Sequence, residues 1–173
     1  NGNRINLDSG QVEDYRRQID LMTGEVTRHF KWGLDEVRLE WSSKRFVSLE
    51  DLHAFCHHIE LRNRSNKSVT VEIVSGIDGQ ITNSGAQHFT EGEKRLRDNV
   101  FLQMLATTSQ SKKSLVTTLS HRLRINGEEA DIEQTFDIQR RRLLMNYKVS
   151  LPPNSRLDLE RYATYHTDFD LDR

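Results

Sequence analysis

The chain has 173 residues, of which 35% are hydrophobic and 29% charged, and its net charge is −1. That length suits one domain with a real core, and the near-neutral charge removes any bulk attraction to nucleic acid or anionic lipid. No apolar run approaches the ~20 residues that cross a bilayer, and the single cysteine, Cys56, leaves no intrachain disulfide. With no signal peptide in view either, a cytoplasmic location is the expectation. The chain opens Asn-Gly-Asn without Met and stops at Asp172-Arg173, so residues 1–173 read as a single domain excised from a larger multidomain protein.

The first element is ambiguous. In QVEDYRRQIDLMTG, residues Val12, Tyr15, Ile19 and Met22 recur at three and four, the spacing of an amphipathic helix that Gly24 would cap. A hairpin turning at Thr23-Gly24 into Val26–Trp32 is the alternative, and local pattern alone favours the helix slightly. Beyond it, period-two alternation dominates, the mark of half-buried strands. Val37, Leu39 and Trp41 share one face of VRLEW; Phe55, His57, Ile59 and Leu61 share one face of AFCHHIEL; Val69, Val71 and Ile73 line the strand after a polar turn at 63–67. A glycine-rich polar stretch, GIDGQITNSGAQHF, follows at Gly76–Phe89. The charged Gly92–Asn99 reads as loop or a single helical turn. Further strands are expected over Val100–Thr107, Leu115–Leu123, Ala130–Gln139, Arg142–Leu151 and Arg156–Thr164, with turn signals at Asn126-Gly127 and Pro152–Ser155. Many short strands at this spacing predict an all-β antiparallel sandwich or barrel.

Chemical motifs are sparse. No Walker, Rossmann or GxSxG pattern occurs. Cys56 lies inside an apolar strand and reads as a buried structural thiol. Asn63-Arg64-Ser65 and Asn66-Lys67-Ser68 match the glycosylation acceptor pattern, which is too short to carry weight. His53, His57 and His58 are poor metal ligands on a strand, where residues four apart are separated by ~13 Å and adjacent ones face opposite ways. The basic clusters Arg140–Arg142 and Lys94–Arg97 read as solvated surface, the second diluted by Glu91, Glu93 and Asp98. Glycosyl transfer would need two facing carboxyl groups; Asp78, Glu91, Glu93, Asp168 and Asp170 are available, but sequence does not pair them.

Three segments carry a resemblance. Tyr15–Gly24 (YRRQIDLMTG), Ser43–Asp51 (SKRFVSLED) and Ser75–Asn83 (SGIDGQITN) resemble, in this order and at these distances, elements of the N-terminal domain of glycoside hydrolase family 65, which includes maltose, kojibiose, nigerose and trehalose phosphorylases and acid trehalases. The resemblance spans about residues 7–90; the second half matches only in strand pattern. It implies a galactose-mutarotase-like antiparallel β-sandwich, preceding an (α/α)6 barrel that holds the catalytic glutamate and phosphate site and is absent here. It therefore implies a non-catalytic domain that supports the barrel and a homodimer. The parent enzyme is expected to phosphorolyse an α-linked glucose disaccharide, maltose- or kojibiose-type, to glucose and β-glucose 1-phosphate with inversion. Inorganic phosphate is the co-substrate, and no cofactor, metal, nucleic acid or membrane is expected. It also implies that Tyr15–Trp32 is a hairpin, and that reading is adopted.

The 76–89 stretch then has two readings. As a set of turns, Gly76 and Gly79 would take positive φ, Asp78 would close an Asx turn, and Asn83-Ser84-Gly85 would turn again. As a functional loop, Asp78, Asn83, Gln87 and His88, beside Phe89, would border the sugar pocket. The alternative to a scaffold is an autonomous carbohydrate-binding module. Its platform would have to be Trp32, which beside Lys31 and Gly33 has room to be exposed but as a single ring makes a weak platform; Trp41, alternating with Val37 and Leu39, is expected in the core.

Overall fold

Tyr15–Trp32 forms a hairpin in the computed structural model, which describes residues 4–130 and 132–172. Strand β1 (Gln11–Asp20) turns into β2 (Glu25–Leu34) at residues 21–24, where Gly24, at φ 69°, donates its N–H to the Asp20 carbonyl. The helical spacing has its cause inside the strand. A bulge between Glu13 and Arg16, with Asp14 at φ 53°, inserts one extra residue. Val12 and Tyr15 therefore land on one face although three apart, Val12 opposite Trp32 and the Tyr15 ring 6.5 Å from that of Phe30.

The other strands are β3 (Val37–Val47), β4 (Ala54–Asn63), β5 (Val69–Asp78), β6 (Thr82–Asn83), β7 (Ala86–Gln87), β8 (Phe89–Arg97), β9 (Phe101–Thr108), β10 (Ser114–Ile125), β11 (Glu128–Glu129), β12 (Glu133–Gln139), β13 (Arg142–Leu151) and β14 (Arg156–Thr167), followed by a 3-10 turn over Asp168–Asp172. All pairings are antiparallel, as expected. The large sheet runs β1-β2-β3-β4-β14-β10-β9-β8, with β11 beside β10. The small sheet runs β12-β13-β5, and β6 pairs with β7. Of the loop or helical turn expected at Gly92–Asn99, residues 92–97 are instead part of β8, and only Asp98 and Asn99 turn. A second bulge, between Glu91 and Lys94, breaks its alternation, and Gly92 sits where an added Cβ would lie 2.3 Å from the Leu105 carbonyl oxygen. The strand expected to begin at Ala130 begins at Glu133.

The sheets face each other across one core. Leu143, Met145, Tyr147, Val149 and Leu151 of β13, with Val71 and Ile77 of β5, pack toward Leu39, Leu61, Leu102, Leu119, Leu157 and Ala163 of the large sheet. Each such leucine contributes about 1.5–3 kcal/mol by leaving water. The large sheet's opposite face is polar, carrying the pairs Lys44–Glu25, Arg64–Glu40, Arg62–Glu60 and Arg124–Glu160. Cys56 lies on that side, between Phe46 and Tyr162, and is half-buried rather than buried, because Phe55 and His57 take the inward positions.

Trp32 lies in the core rather than on an exposed face, while Trp41, expected in the core, packs against its margin. Trp32 is 4% exposed, and its indole N–H donates to the Ser9 carbonyl at 2.6 Å. Trp41 is half-buried and stacks on Phe30, with its Nε1 buried and unpartnered. At the end of β4, Asn63 is fully buried. Its amide donates to the carbonyls of Lys67, Leu151 and Pro152 and its oxygen accepts from the Ser65 N–H, which ties β4 to the β13–β14 turn.

Candidate functional site around the 76–89 loop

The loop is anchored by close approach. Neither Gly76 nor Gly79 has positive φ, contrary to expectation. Gly76 is needed because a Cβ there would lie 2.1 Å from the Leu143 carbonyl oxygen, and the Gly79 N–H donates to Arg141 O at 2.8 Å. The left-handed pair is Ser84 (φ 51°) and Gly85 (φ 77°), the two central residues of the β6–β7 turn.

Asp78 closes the expected Asx turn, its Oδ1 accepting from the Gln80 N–H at 2.8 Å. Its Oδ2 accepts two bonds from the Arg142 guanidinium, at 2.9 and 2.8 Å. That ion pair holds the carboxyl below its ordinary range, so Asp78 stays ionised and is no proton donor near neutral pH. Gln87 donates from Nε2 to the carbonyls of Gly79 and Phe89, which pins both ends of the β6–β7 hairpin. Asn83 is exposed at the hairpin tip. His88 is half-buried with its Nε2 unpartnered, and its carbonyl accepts the Ser109 N–H.

Beside the loop, a cleft of about 260 Å³ opens between the sheets. Ile77, Gly79, Ile81 and Phe89 form its loop side; Phe55, Met104, Leu119, Ala163 and Tyr165 form much of its other wall. Among the described residues, Asp78 and Arg161 are the only charged ones lining it, and Asn83, Gln87 and His88 do not line it. Asp78 and Gln87 thus each brace the base of the loop through separate bonds, Asn83 stands off at its tip, and the walls are mainly apolar.

Sequence reasoning put His57 on the inner side of the large sheet but missed Arg161 and His121 there. The Arg161 Nε is buried without an acceptor, its Nη1 lies 3.4 Å from His57 Nδ1, and burial lowers its pKa. Burial, with Arg161 and Arg45 nearby, lowers His57 to about 4. Burial likewise lowers His121 to about 4; its Nε2 meets the Ser75 hydroxyl at 2.8 Å. Both histidines are neutral at pH 7. The signal was present: Arg161 and His121 occupy positions where the alternation calls for apolar residues, in line with Leu159 and Leu119.

His53, His57 and His58, read from sequence as poor metal ligands, do separate. His57 faces inward, and His58 faces outward onto Asp158 at 3.0 Å. His53 instead joins His166 and Asp170, with their ligand atoms within 4.8 Å of one another. The His53 and His166 rings stack at 4.3 Å, 25° from parallel. Metal–imidazole bonds lie in the ring plane at ~2.1 Å, and planes so nearly parallel do not meet at a point that close to both nitrogens. As arranged, this is a stacked pair beside a carboxylate, not a chelate. The two basic clusters meet around Glu91: Lys94 bonds Glu91 and the Gln139 carbonyl, and Arg140 lies 4.0 Å from Glu91.

Residues 1–173 match the glycosyl hydrolase family 65 N-terminal domain. The chain is 32% identical over 172 residues to a kojibiose phosphorylase of Halothermothrix orenii, covering 99% of this chain and 22% of that protein. It is 26% identical over 150 residues to a kojibiose phosphorylase of Escherichia coli, covering 86% of this chain and 19% of that protein. A solved structure from the human microbiome, provisionally named a kojibiose phosphorylase, superposes with TM-score 0.83 at 16% identity, over 98% of this chain and 21% of that one. The chain thus spans about a fifth of the length of the curated relatives it matches.

Proposed function

Because this chain belongs to glycosyl hydrolase family 65, as part of its N-terminal domain, we propose that it is the non-catalytic sandwich portion of a cytoplasmic disaccharide phosphorylase of kojibiose type. The reading rests on 32% identity to a kojibiose phosphorylase across 99% of the chain. In the parent reaction a phosphate oxygen attacks the anomeric carbon of an α-glucosyl residue and displaces glucose, giving β-glucose 1-phosphate. The displaced glucose oxygen takes a proton from a general acid supplied by the barrel of the parent protein. The Arg142 pair makes Asp78 unsuited to that role, which supports a division of labour. The sandwich backs the barrel and the dimer, while the 76–89 loop, with Asp78, Asn83, Gln87 and His88, borders the sugar pocket. Burial of Trp32 removes the platform that an autonomous carbohydrate-binding module would need.

The test is to incubate the 173-residue chain and the parent polypeptide separately with phosphate and kojibiose, maltose, nigerose or trehalose. The parent is expected to release glucose 1-phosphate fastest from kojibiose, and the chain none. Product from the chain alone, or hydrolysis without sugar phosphate by the parent, overturns the reading. Asn83→Ala and His88→Ala in the parent are expected to raise the disaccharide KM severalfold; an unchanged KM removes the loop from the rim.

A further inference from the structure

The end of the sandwich where β14 gives way to the 3-10 turn carries a group of side chains that the sugar chemistry leaves unused. His53 stands just before β4, His166 near the end of β14 and Asp170 in the turn, with one ligand atom of each within 4.8 Å of the others. Two of the three are aimed by the backbone. The His53 Nδ1 lies 2.8 Å from the Tyr165 carbonyl oxygen. A carbonyl only accepts, so Nδ1 carries the hydrogen, and in the neutral ring Nε2 is left with a bare lone pair. The His53 carbonyl accepts the Tyr165 N–H in return, and the His53 N–H donates to Asp51 Oδ1, which fixes the residue on both sides. Asp170 is held in the same manner. Its Oδ2 accepts the Thr167 N–H at 2.6 Å and the Thr167 hydroxyl at 3.1 Å, and its Oδ1 is turned toward His53 Nε2.

Two acceptors therefore face each other. His53 Nε2 and Asp170 Oδ1 are 3.8 Å apart, too far for a hydrogen bond. The gap is close to the ~3.4 Å between two ligands on a tetrahedral ion with bonds of ~2.1 Å. An imidazole that gives its other N–H to a backbone carbonyl is the usual state of a metal-bound histidine. His166 supplies the third group. It is exposed, so its ring is free to leave the stack on His53. Turned toward the same point, it no longer presents the near-parallel plane that keeps the present arrangement from chelating. Neighbouring charges are otherwise engaged: Asp168 accepts the Ser114 N–H, and the Lys113 ammonium lies over the Phe169 ring at 4.4 Å. Among the described residues no lysine or arginine pairs with Asp170.

We propose that His53, His166 and Asp170 form a binding site for one zinc ion, with solvent completing the tetrahedron. Two imidazoles and one carboxylate suit zinc, whereas magnesium and calcium take oxygen ligands. The ion joins three pieces of chain, the head of β4, the tail of β14 and the Asp168–Asp172 turn, and so acts as a clasp on this end of the sandwich. Zinc here takes no part in phosphorolysis, so the site holds whatever disaccharide the parent uses.

The test is zinc titrated in competition with a chromophoric chelator into untagged, metal-stripped protein, both the 173-residue chain and the parent polypeptide, with magnesium as comparator. The chain is expected to take up one zinc and no magnesium. His166→Ala and Asp170→Asn should each weaken that binding at least tenfold, whereas His58→Asn, at the outward pair with Asp158, should leave it unchanged. In the parent, His166→Ala is expected to lower the zinc bound by one equivalent. Neither His166 nor Asp170 belongs to the core, so both variants are expected to fold, and thermal unfolding without zinc checks this. Nitrogen-15 spectra of the histidine rings give a second readout: zinc should shift His53 Nε2 and one His166 nitrogen while the His53 Nδ1–H is retained. Equal zinc binding by wild type and His166→Ala, or an unchanged zinc count in the parent variant, overturns the proposal. So does binding abolished by His58→Asn, which would place the ion at the His58–Asp158 pair. Spectra in which zinc shifts neither ring and His53 Nε2 carries a hydrogen would assign the gap to a proton and overturn it equally.

Discussion

Gly76→Ala tests how tightly the 76–89 loop is built into the sandwich. The added Cβ would lie 2.1 Å from the Leu143 carbonyl oxygen and 2.8 Å from the Leu144 Cα, both backbone atoms. Backbone cannot rotate away as a side chain can, so β5 must retreat from β13 by more than about 1 Å to restore van der Waals spacing. A ladder bond stretched that far is lost. Losing two such bonds costs roughly 2 kcal/mol, and the strain left in a packed core adds roughly 1–3 kcal/mol. Alanine's stiffer unfolded chain offsets about 0.4–1 kcal/mol. The net expectation is a loss of about 3 kcal/mol, which for a domain of this size lowers Tm by roughly 6–12 °C. Gly85→Ala is the control. Its Cβ meets nothing within 4 Å, and only its φ of 77° is unfavourable, so about 1 kcal/mol is expected. Thermal and urea unfolding of both variants decide the matter. A Gly76→Ala chain within about 2 °C of wild type, or one no worse than Gly85→Ala, refutes close approach as the reason for the glycine.

Other outcomes follow from single groups. His121 titrates at about 4 when folded but near 6.5 when unfolded. The unfolded chain therefore binds the extra proton as pH falls between those values, and stability drops with it. The loss from this residue is about 2 kcal/mol between pH 7 and 4.5, and urea unfolding of wild type against His121→Asn, each at both pH values, should show it shrinking in the variant. Arg142→Gln removes the partner that holds Asp78 down, so carboxyl NMR should find the Asp78 pKa risen toward the ordinary carboxylate range; an unmoved value would assign the shift to the Gln80 N–H instead. Gln87→Ala frees the carbonyls of Gly79 and Phe89, with an expected loss of about 1 kcal/mol and faster amide exchange confined to residues 78–89.

The sequence carried the sandwich through its alternation, and failed where bulges interrupt it. One extra residue at Asp14 puts Val12 and Tyr15 three apart on one face and imitates a helix. The bulge at Gly92 hides the strand nature of β8 in the same way. The loop's turns were legible because Asp78, Ser84 and Gly85 act locally. The Arg142 partner of Asp78 was not, since it lies on a strand 64 positions away. Trp32 was misplaced for a related reason: Ser9 and Gly10 fold over its ring, a contact made across 23 positions. Alternation says which side a residue faces but not what lies on that side. Arg161 could be put on the inner face from sequence, and the lack of an acceptor for its Nε could not.

The buried Asn63 makes the choice of expression host a structural question. Its side-chain nitrogen, the atom to which an N-linked sugar would attach, already bonds three carbonyls inside the protein. Asn63-Arg64-Ser65 would be recognised during passage through a eukaryotic secretory pathway, where sugars are added before folding is complete. A glycan there would hold the β13–β14 turn away from β4, so glycosylation and closure exclude one another. Secreted material should divide into a folded fraction bare at this residue and a modified fraction retained as misfolded, whereas a bacterial host meets no such branch point.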